Sequence, residues 1–456
     1  MVTPLWIDGD SVMINGGSVT EIMVRKYGGS SLATIGDVHR MARCTADAHR
    51  SGQSVVVVVS ARGGSTDSLL RLADEVGGSV RSERGVRERD QLLATGECSS
   101  AALFALALER LGVPAVSLSG PQAGIKAAGP YGSGVITRVD VGRIRRSLAA
   151  GVPVVVAGFQ GLNERGDMVT LGRGGSDTTA VALAAELRAR ECEIYTDVGG
   201  ICTADPRIVP TARVLPRVDV NVMAEMAFAG ARVLYSRAVE LAAMHDVDLR
   251  VLHAEATAPE PGHENGTVIA GRSDGAVLES EGAVIAIAHD FDVARVLVYS
   301  PGGHADLAAE ILAVLGRNSA PVDMVARSGP YEEEFRMGFT IRRSDLEKVH
   351  LELQEMVARY GGGVRVDENL AKVSLIGMGL LNRPEYASRM ISRLSAAGIV
   401  TSWVSTSQLR ASAVVQRRQA IEAVEILHRE FGLDREGPPG PPKPLAASGG
   451  GIGERE

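Results

Sequence analysis

A glycine-rich loop between a buried-strand pattern and a helical pattern constrains this chain more than any other feature. The strand pattern is VPVVVAGFQG at residues 152–161, and TLGRGGSDTTA at residues 170–180 leads into the helix-like run AVALAAELRAR. A glycine-rich turn that opens a helix leaves backbone N–H groups unpaired at the positive end of the helix dipole. Such a turn favours a bound phosphate or carboxylate, although the stretch alone is equally consistent with an ordinary connection whose glycines allow tight packing.

One side chain would add to an anion site in this loop, and two others would support the start of the helix. Arg173 at its edge would clamp an anionic group through two parallel hydrogen bonds. Ser176 is expected to cap the helix, and Asp177 is expected in its first turn, where a carboxylate is favoured.

Two further strand patterns end in similar loops. Residues 21–27 (EIMVRKY) run into GGSS, and Lys26 beside the paired glycines suits the terminal phosphates of a nucleotide. The P-loop pattern GxxxxGK[ST] is not present here, and a strand-end lysine that extends to solvent is the alternative. Residues 54–60 (SVVVVVS) are typical of a parallel strand covered on both faces. Ser60 and Thr66 follow it, at the edge where ligands of open α/β sheets bind.

The next segments add carboxylates and a further loop. Residues 81–91 (RSERGVRERDQ) indicate a solvated face, and Glu97 is expected at a turn before a helix, where a carboxylate is often only a cap. A strand over residues 193–198 precedes a turn-rich loop with Asp205 and Arg207, and residues 221–244 indicate two short helices. Repeated strand–loop–helix units predict an open α/β sheet.

Bulk properties exclude several function classes. A length of 456 residues suggests two to four domains, and a net charge of −7 argues against nucleic acid or an anionic membrane as main partner. The four cysteines lack CxxC spacing, which predicts reduced thiols in a cytoplasmic protein without a zinc site. No run of about 18 apolar residues suggests a membrane span, and the N-terminus does not have the pattern of a signal peptide.

An internal duplication changes the character of the chain after residue 282. Residues 294–325 recur in pattern at residues 371–404, and each copy is followed by another strand and helix. This predicts two βαββαβ modules, which bind small ligands or pair edge to edge. The tail, residues 435–456, is rich in Pro and Gly and is expected to be disordered.

Taken together and in order, these motifs resemble those of the aspartate kinases of the amino-acid kinase family, over residues 21–433. The motifs are KYGGSS (26–31), VVVVVSARGGSTDSLL (55–70), LLATGE (92–97), SGPQAGI (119–125), VAGFQG (156–161), TLGRGGSDTTA (170–180), IYTDVGGICTADPR (194–207) and AGARVL (229–234). The duplicated part is similar to the paired ACT domains of that family and includes STSQLRAS at residues 405–412.

The resemblance implies a fold and a domain organisation. The fold is an open, mainly parallel three-layer αβα sheet, followed by two ferredoxin-like ACT modules. The implied boundaries are an extension at 1–20 (with Met23 as an alternative start), a kinase domain at 21–275, ACT-like modules at 282–365 and 366–434, and the tail at 435–456.

The resemblance also implies a reaction. ATP, with Mg²⁺, would phosphorylate the β-carboxylate of L-aspartate to 4-phospho-L-aspartate, the first step towards lysine, threonine and methionine. Phosphoryl transfer requires positioning and charge neutralisation more than covalent chemistry. Mg²⁺ would be held mainly by the ATP phosphates, so no protein metal site is expected.

The implied site residues fall into three groups. Lys26, Arg173 and Asp177 are the catalytic set, in which Lys26 would hold the transferring phosphoryl group. Arg173 and Glu97 would bind the two ends of aspartate, and the other substrate residues are Ser65, Thr66, Asp67, Gly174, Gly175 and Ser176. Nucleotide contacts are predicted for Lys26, Tyr27, Gly28, Gly29, Ser60, Ser176, Thr196, Asp197, Cys202, Thr203, Asp205, Arg207 and Arg232.

Several positions depart from the family pattern. Arg232 replaces the usual lysine, Cys202 a common aromatic residue, and Pro121 a frequent Trp or Ser. SPGGHA (300–305), Arg327-Ser328 and Gln408 also differ in loops that carry effector contacts in the family. These changes predict an active enzyme with weakened feedback by lysine and threonine. The paired ACT domains of the family imply a homo-oligomer. Alternatives are a kinase for another amino-acid carboxylate or phosphate, and an inactive amino-acid sensor.

Overall fold

A computed structural model describes residues 21–78, 82–189, 191–231, 233–255, 266–271, 284–302, 304, 306–328 and 334–435. The predicted extension at 1–20, nearly all of the predicted tail, and Arg232 lie outside these residues. The chain divides into two compact units. The first comprises Met1–Ile201, Val214–Phe228 and Arg232–Asp274, and the second comprises Cys202–Arg213, Ala229–Ala231 and Gly275–Glu456.

Among the described residues, the first unit contains twelve strands and seven α-helices. Its strands are β1 (Ile22–Tyr27), β2 (Ser54–Val59), β3 (Val116–Leu118), β4 (Ile125–Ala128), β5 (Val135–Val139), β6 (Val154–Ala157), β7 (Gln160–Leu162), β8 (Met168–Thr170), β9 (Glu191–Thr196), β10 (Arg217–Asp219), β11 (Asp248–His253) and β12 (Thr267–Ala270). Its helices are α1 (Ile35–Arg50), α2 (Ser65–Gly77), α3 (Glu83–Arg110), α4 (Gly142–Ala149), α5 (Gly175–Leu187), α6 (Val220–Ala229) and α7 (Ser236–Met244).

The main sheet of this unit has the order β10-β12-β11-β9-β1-β2-β6-β3. All of its neighbouring pairs are parallel except β11–β12. The valines of β2 are fully buried because α5 covers one face of the sheet while α1 and α3 cover the other. The predicted open, mainly parallel αβα fold is confirmed. A smaller sheet, β5-β4-β7-β8, was not predicted.

Helix α3 differs from the sequence prediction. Residues 83–110 form one helix of 28 residues, so the charged run continues directly into the Glu97 segment without a turn. Gly96 marks a close approach instead, because a Cβ there would lie 2.9 Å from the Cβ of Ala61. By length and composition α3 is the one helix of the described chain that could cross a membrane, but half of its most apolar stretch is buried, as in a core helix.

The second unit contains the ACT-like modules. Its elements are β13 (Val284–Pro301), α8 (Leu307–Arg317), β14 (Val322–Ser328), β15 (Glu334–Ile341), α9 (Arg343–Ala358), β16 (Gly363–Gly377), α10 (Pro384–Ala396), β17 (Trp403–Thr406), β18 (Arg410–Gln416) and α11 (Ala420–Glu430). The six strands form one sheet in the order β14-β15-β13-β16-β18-β17.

The two long central strands of this sheet serve both modules. The later part of β13 pairs with β15 and with the start of β16, while its first part, residues 284–290, pairs with the end of β16. Val284 and Ile287 accordingly pack in the core of the second module, and Val296 and Val298 pack in the core of the first. Residues 284–290 thus supply the strand that would follow α11 in a second βαββαβ module.

Candidate active site

Four neighbouring strands of the first unit, β9, β1, β2 and β6, end at the same edge of the main sheet. Gly28 and Gly29 follow β1, Ser60 follows β2, and Gly158 follows β6. A Cβ at Gly29 would lie 2.7 Å from the Ala61 carbonyl oxygen, and one at Gly158 would lie 2.9 Å from Ser176 Oγ. Glycine is therefore required here for close packing of the loops, and the carboxyl edge gathers residues from five of the predicted motifs.

Lys26 and Asp177 form an ion pair at this edge. Lys26 Nζ lies 2.6 Å from Asp177 Oδ1, and each side chain is only 12% exposed. The Gly28 N–H contacts the Tyr195 carbonyl oxygen at 3.4 Å, which is too long for a strong hydrogen bond. A cation fixed by a carboxylate beside a weakly engaged amide can hold a phosphoryl group.

The loop between β8 and α5 opens the helix with glycine instead of serine. Gly174 is the N-cap, with φ of 69°, and a Cβ there would lie 2.2 Å from the Tyr235 ring. Ser176 lies inside the first turn, so the expectation that it caps the helix is wrong, because the left-handed conformation and the tyrosine both select Gly174. Asp177 lies in the first turn as predicted.

Glu97 is buried, with part of its hydrogen-bonding capacity unused. Its residue exposure is 4%, and Oε1 accepts a 3.0 Å hydrogen bond from the Ala61 amide. Oε2 has no hydrogen-bond partner among the described residues. Burial raises the pKa of Glu97 to about 7, against the lowering effect of the hydrogen bond from Ala61. The arrangement suits a cationic ligand that would pair with the second oxygen.

Arg173 contrasts with Glu97 in exposure. It lies in the turn before α5, its side chain is exposed, and it makes no hydrogen bond or ion pair with a described residue. Its guanidinium can therefore bind a carboxylate through two hydrogen bonds. Three further predicted substrate residues open α2. Ser65 and Thr66 are half-buried, Asp67 is exposed in the first turn, and the Ser65 hydroxyl donates to the Arg62 carbonyl.

Tyr27 is placed differently from the prediction of a nucleotide contact. Its side chain is fully buried, its hydroxyl bonds Thr45 Oγ1 at 2.9 Å, and its ring stacks on Phe104. The Tyr27 side chain therefore belongs to the core, and its carbonyl accepts a hydrogen bond from the Ser60 amide. The Thr196 hydroxyl donates to Asp197 Oδ1 at 3.1 Å after β9, and Ser60 is half-buried after β2.

Four predicted nucleotide residues belong to the second unit, in the segment Cys202–Arg213. Thr203 is buried, and its hydroxyl bonds His428 Nε2 at 2.9 Å and accepts from the Arg213 amide at 3.0 Å. Asp205 accepts three side-chain hydrogen bonds and one backbone hydrogen bond from Arg207, which hold the pKa of its carboxyl below the usual range. Cys202 is half-buried. The Thr203 hydroxyl therefore makes its hydrogen bonds within its own unit.

One residue that the sequence interpretation missed is Asp90, which it assigned to a solvated face. Its side chain is almost completely buried and binds the end of β8, just before Arg173. Asp90 and Glu97 are two helical turns apart and share one face of α3. Their spacing of seven residues could have indicated that Asp90 shares the buried face of Glu97. The mixed charges of residues 81–91 suggested an exposed face instead.

Metals and disulfides can be considered for the described residues. Among them, no group of three or more His, Cys, Asp or Glu side chains could hold a metal ion. All four cysteines lie in this part of the chain, and no disulfide forms between them.

Comparisons with known proteins identify the class that this fold and site define. Residues 21–253 match the amino acid kinase family, and residues 373–431 match an ACT domain. The chain therefore belongs to the amino acid kinase family.

Within that class, the similarity extends to one kind of enzyme. The chain is 40% identical to an aspartokinase of Geobacillus stearothermophilus, over 91% of this chain and 98% of that protein. It is 39% identical to an aspartokinase of Mycolicibacterium smegmatis, over 90% and 96%. The crystal structure of E. coli aspartokinase III with aspartate and ADP (R-state) superposes with a TM-score of 0.75 at 23% identity, over 90% of this chain and 99% of that chain, and so supports the fold. The chain is a member of the aspartokinase family, and the predicted aspartate kinase identity is confirmed.

Proposed function

We propose that this chain transfers the γ-phosphate of ATP to the β-carboxylate of L-aspartate and releases 4-phospho-L-aspartate. The observation that carries the site assignment is a pair of unused opposite charges. Glu97 has a buried, unpartnered Oε2, and Arg173 has an exposed guanidinium without a described partner. An α-amino acid presents an ammonium and a carboxylate, which match these two groups.

The phosphates of ATP would bind at the Lys26 edge of the sheet. The chemistry of the donor set fits: a fixed ammonium, loop glycines without side chains, and the amino end of α5. Asp177 would hold the Lys26 ammonium in place, and Ser60, Ser176, Thr196 and Asp197 remain proposed nucleotide contacts. Mg²⁺ would enter with ATP and neutralise phosphate charge.

No catalytic base is required for this reaction. The β-carboxylate of free aspartate is ionised near pH 7 and is itself the nucleophile. The protein residues would therefore act by binding: Arg173 and Glu97 orient aspartate, while Lys26 stabilises the negative charge that is transferred.

The decisive test is formation of aspartyl hydroxamate from aspartate and MgATP in the presence of hydroxylamine. We expect activity with aspartate and little with glutamate. A preference for glutamate would refute the proposed substrate, and no activity with either would favour an amino-acid sensor.

Arg173→Ala tests the substrate assignment within the site. Loss of a charge-assisted pair of about 1.5–3 kcal/mol should lower kcat/KM for aspartate about 10- to 100-fold, with little change in the KM for ATP. Arg71→Ala is the matched control, because Arg71 is an exposed arginine of α2 whose side chain hydrogen-bonds, among the described residues, only to Ser68. A near-normal kcat/KM for Arg173→Ala would remove Arg173 from the site.

Regulation and assembly are proposed from the second unit. We infer weak inhibition by lysine with threonine, because the effector loops depart from the family pattern at 300–305, Arg327-Ser328 and Gln408. We also propose a cytoplasmic homo-oligomer joined through ACT modules. Titration of activity with both amino acids, and sedimentation of the full chain, test these points. Clear inhibition at sub-millimolar effector would contradict the first, and a monomer would contradict the second.

A further inference from the structure

Asp90 is a buried carboxylate that accepts three hydrogen bonds, two from the end of β8 and one from the β4–β5 loop. It lies on α3 and is 1% exposed. Oδ2 accepts from the Thr170 amide and from the Gly132 amide, both at 2.8 Å, while Oδ1 accepts from the Thr170 hydroxyl at 2.8 Å. No arginine or lysine of the described chain forms an ion pair with it. Burying a carboxylate without a cation is costly, so these three donors must offset that cost.

The two segments that Asp90 joins, the end of β8 with the loop after it and the β4–β5 loop, also contact each other. The Gly134 amide donates to the Thr170 carbonyl at 2.9 Å, and a Cβ at Gly172 would lie 3.1 Å from the Gly132 carbonyl oxygen. From α7, Arg237 donates to the carbonyls of Leu171 (3.2 Å) and Gly134 (2.7 Å). The backbone that leads to Arg173 is therefore held by a carboxylate from α3 and a guanidinium from α7.

Asp90 and Glu97 are linked by a continuous helix. Both lie within the 28-residue α3, about 10 Å apart along its axis and on the same face. One end of this helical segment fixes the position of Thr170, three residues before Arg173, and the other end carries Glu97. The Arg173 side chain is not itself fixed by any described partner, so its location depends on the backbone that Asp90 holds.

We propose that Asp90 is a positioning residue for substrate, which sets the distance between Arg173 and Glu97 without touching aspartate. The inference rests on the proposed function, in which those two residues bind the ends of aspartate. It predicts a larger defect for aspartate than for ATP, because Lys26, Gly28 and Gly29 belong to β1 and the loop after it, whereas Arg173 directly follows the backbone that Asp90 holds. The role depends on hydrogen-bond acceptance and not on charge. An asparagine can accept both amide hydrogens with its oxygen and donate its NH₂ to the Thr170 hydroxyl.

The test compares Asp90→Ala with Asp90→Asn in steady-state kinetics of the full chain with aspartate and MgATP. We expect Asp90→Ala to raise the KM for aspartate more than tenfold and to change the KM for ATP less than twofold. Asp90→Asn should stay within about threefold of the wild-type enzyme for both. Equal damage by the two variants would assign a role to the charge and overturn the proposal, as would equal increases in both KM values.

Asp167→Ala is the matched control. Asp167 also ties α3 to the β7–β8 hairpin, through Arg87, and accepts a hydrogen bond from Tyr131 of the β4–β5 loop, but it lies at the end of β8 away from Arg173. The KM of the Asp167→Ala variant for aspartate should stay near the wild-type value. An increase as large as that caused by Asp90→Ala would show that Asp90 has only a general structural role. If Asp90→Ala does not fold, Thr170→Val removes one of the three donors. It should raise the KM for aspartate about three- to tenfold, and an unchanged KM would refute the proposal.

Arg173→Ala in the same set separates this inference from the proposed function. A raised KM for aspartate in Arg173→Ala but not in Asp90→Ala would refute the positioning role alone. An unchanged KM in both would refute the site assignment on which it rests.

Discussion

Two carboxylates, one in each unit, show how differently the two halves of this chain use buried charge. Glu97 in the first unit is held by one peptide amide and has one oxygen without a described partner. Asp323 in the second unit accepts from Lys372 Nζ at 2.8 Å and from both terminal nitrogens of Arg410 at 2.8 and 3.0 Å. One carboxylate retains binding capacity, and the other has its charge fully compensated inside the protein.

The pKa values of the two groups follow from this difference. Burial raises the pKa of Glu97 to about 7, because among the described residues no cation offsets the cost of burying its charge. Burial also acts to raise the pKa of Asp323, but the hydrogen bonds and charges of Arg410 and Lys372 outweigh it, so that pKa falls well below its usual range. A buried carboxylate oxygen without a hydrogen-bond partner is typical of a ligand site, whereas a carboxylate paired with two cations is typical of a structural cluster.

The largest effect is expected for Asp323→Ala. It leaves Lys372 buried and Arg410 nearly so, without their shared counter-ion, and should destabilise the second unit by about 3–5 kcal/mol. Asp367→Ala is the control, because Asp367 pairs with Arg295 at 3.3 Å near the surface and should cost less than about 1 kcal/mol. Denaturant unfolding followed by circular dichroism measures both. Equal losses would show that the cluster around Asp323 has no special structural weight.

The second prediction concerns stability and pH. The folded pKa of Glu97 is raised from 4.5 to about 7, so its contribution is fully present below pH 4.5 and is lost as pH rises to about 7. Between pH 5 and 8 the wild-type protein should lose up to about 3 kcal/mol relative to Glu97→Gln. Asp323 has a lowered pKa, so its contribution stays constant in this range and falls only below about pH 3.8. If the free energies of unfolding of the wild type and of Glu97→Gln change equally with pH between 5 and 8, burial does not raise the pKa of Glu97.

The sequence predicted most of what fixes the fold. Continuous valines in β2, helical spacing in α1 and glycine-rich loops at strand ends were sufficient for an open, mainly parallel sheet. Lys26, Glu97 and Arg173 were proposed as site residues because their motifs occur in the order typical of the family. Patterns of this kind are local, and local patterns are what a sequence records directly.

The features that were missed depend on contacts distant in sequence. Gly96 suggested a turn, but it serves the close approach of α3 to Ala61, which no local pattern reveals. Asp90 lies in a run of mixed charges, and its burial depends on contacts distant in sequence, such as the hydrogen bond from Thr170, 80 residues away. The dual pairing of β13 was missed for the same reason, because residues 284–290 find their partners more than 80 residues later.

The third prediction concerns aspartate binding and returns to the unpaired oxygen of Glu97. The substrate ammonium should require the ionised carboxylate, so the KM for aspartate should rise about tenfold per pH unit below pH 7. Glu97→Gln should raise that KM about 10- to 100-fold at pH 8 and remove its dependence on pH. Initial rates at pH 6, 7 and 8 provide the measurement. A wild-type KM that does not change with pH would mean that Glu97 does not bind the ammonium.

The smallest effect is expected for Thr203→Val, which tests whether a predicted nucleotide residue of the second unit behaves like Asp323 or like Glu97. The Thr203 hydroxyl is buried against His428 and the Arg213 amide, so its loss should cost about 1–2 kcal/mol of stability. The KM for ATP should change less than twofold, because the hydroxyl is already committed within the protein. Thr340→Val is the control, since its hydroxyl donates to the Asp323 carbonyl in the same unit and should cost a similar amount. A tenfold rise in the KM for ATP without loss of stability would instead show that Thr203 contacts the nucleotide. Thr203 would then resemble Glu97, as a residue of the second unit that keeps a polar group for a ligand.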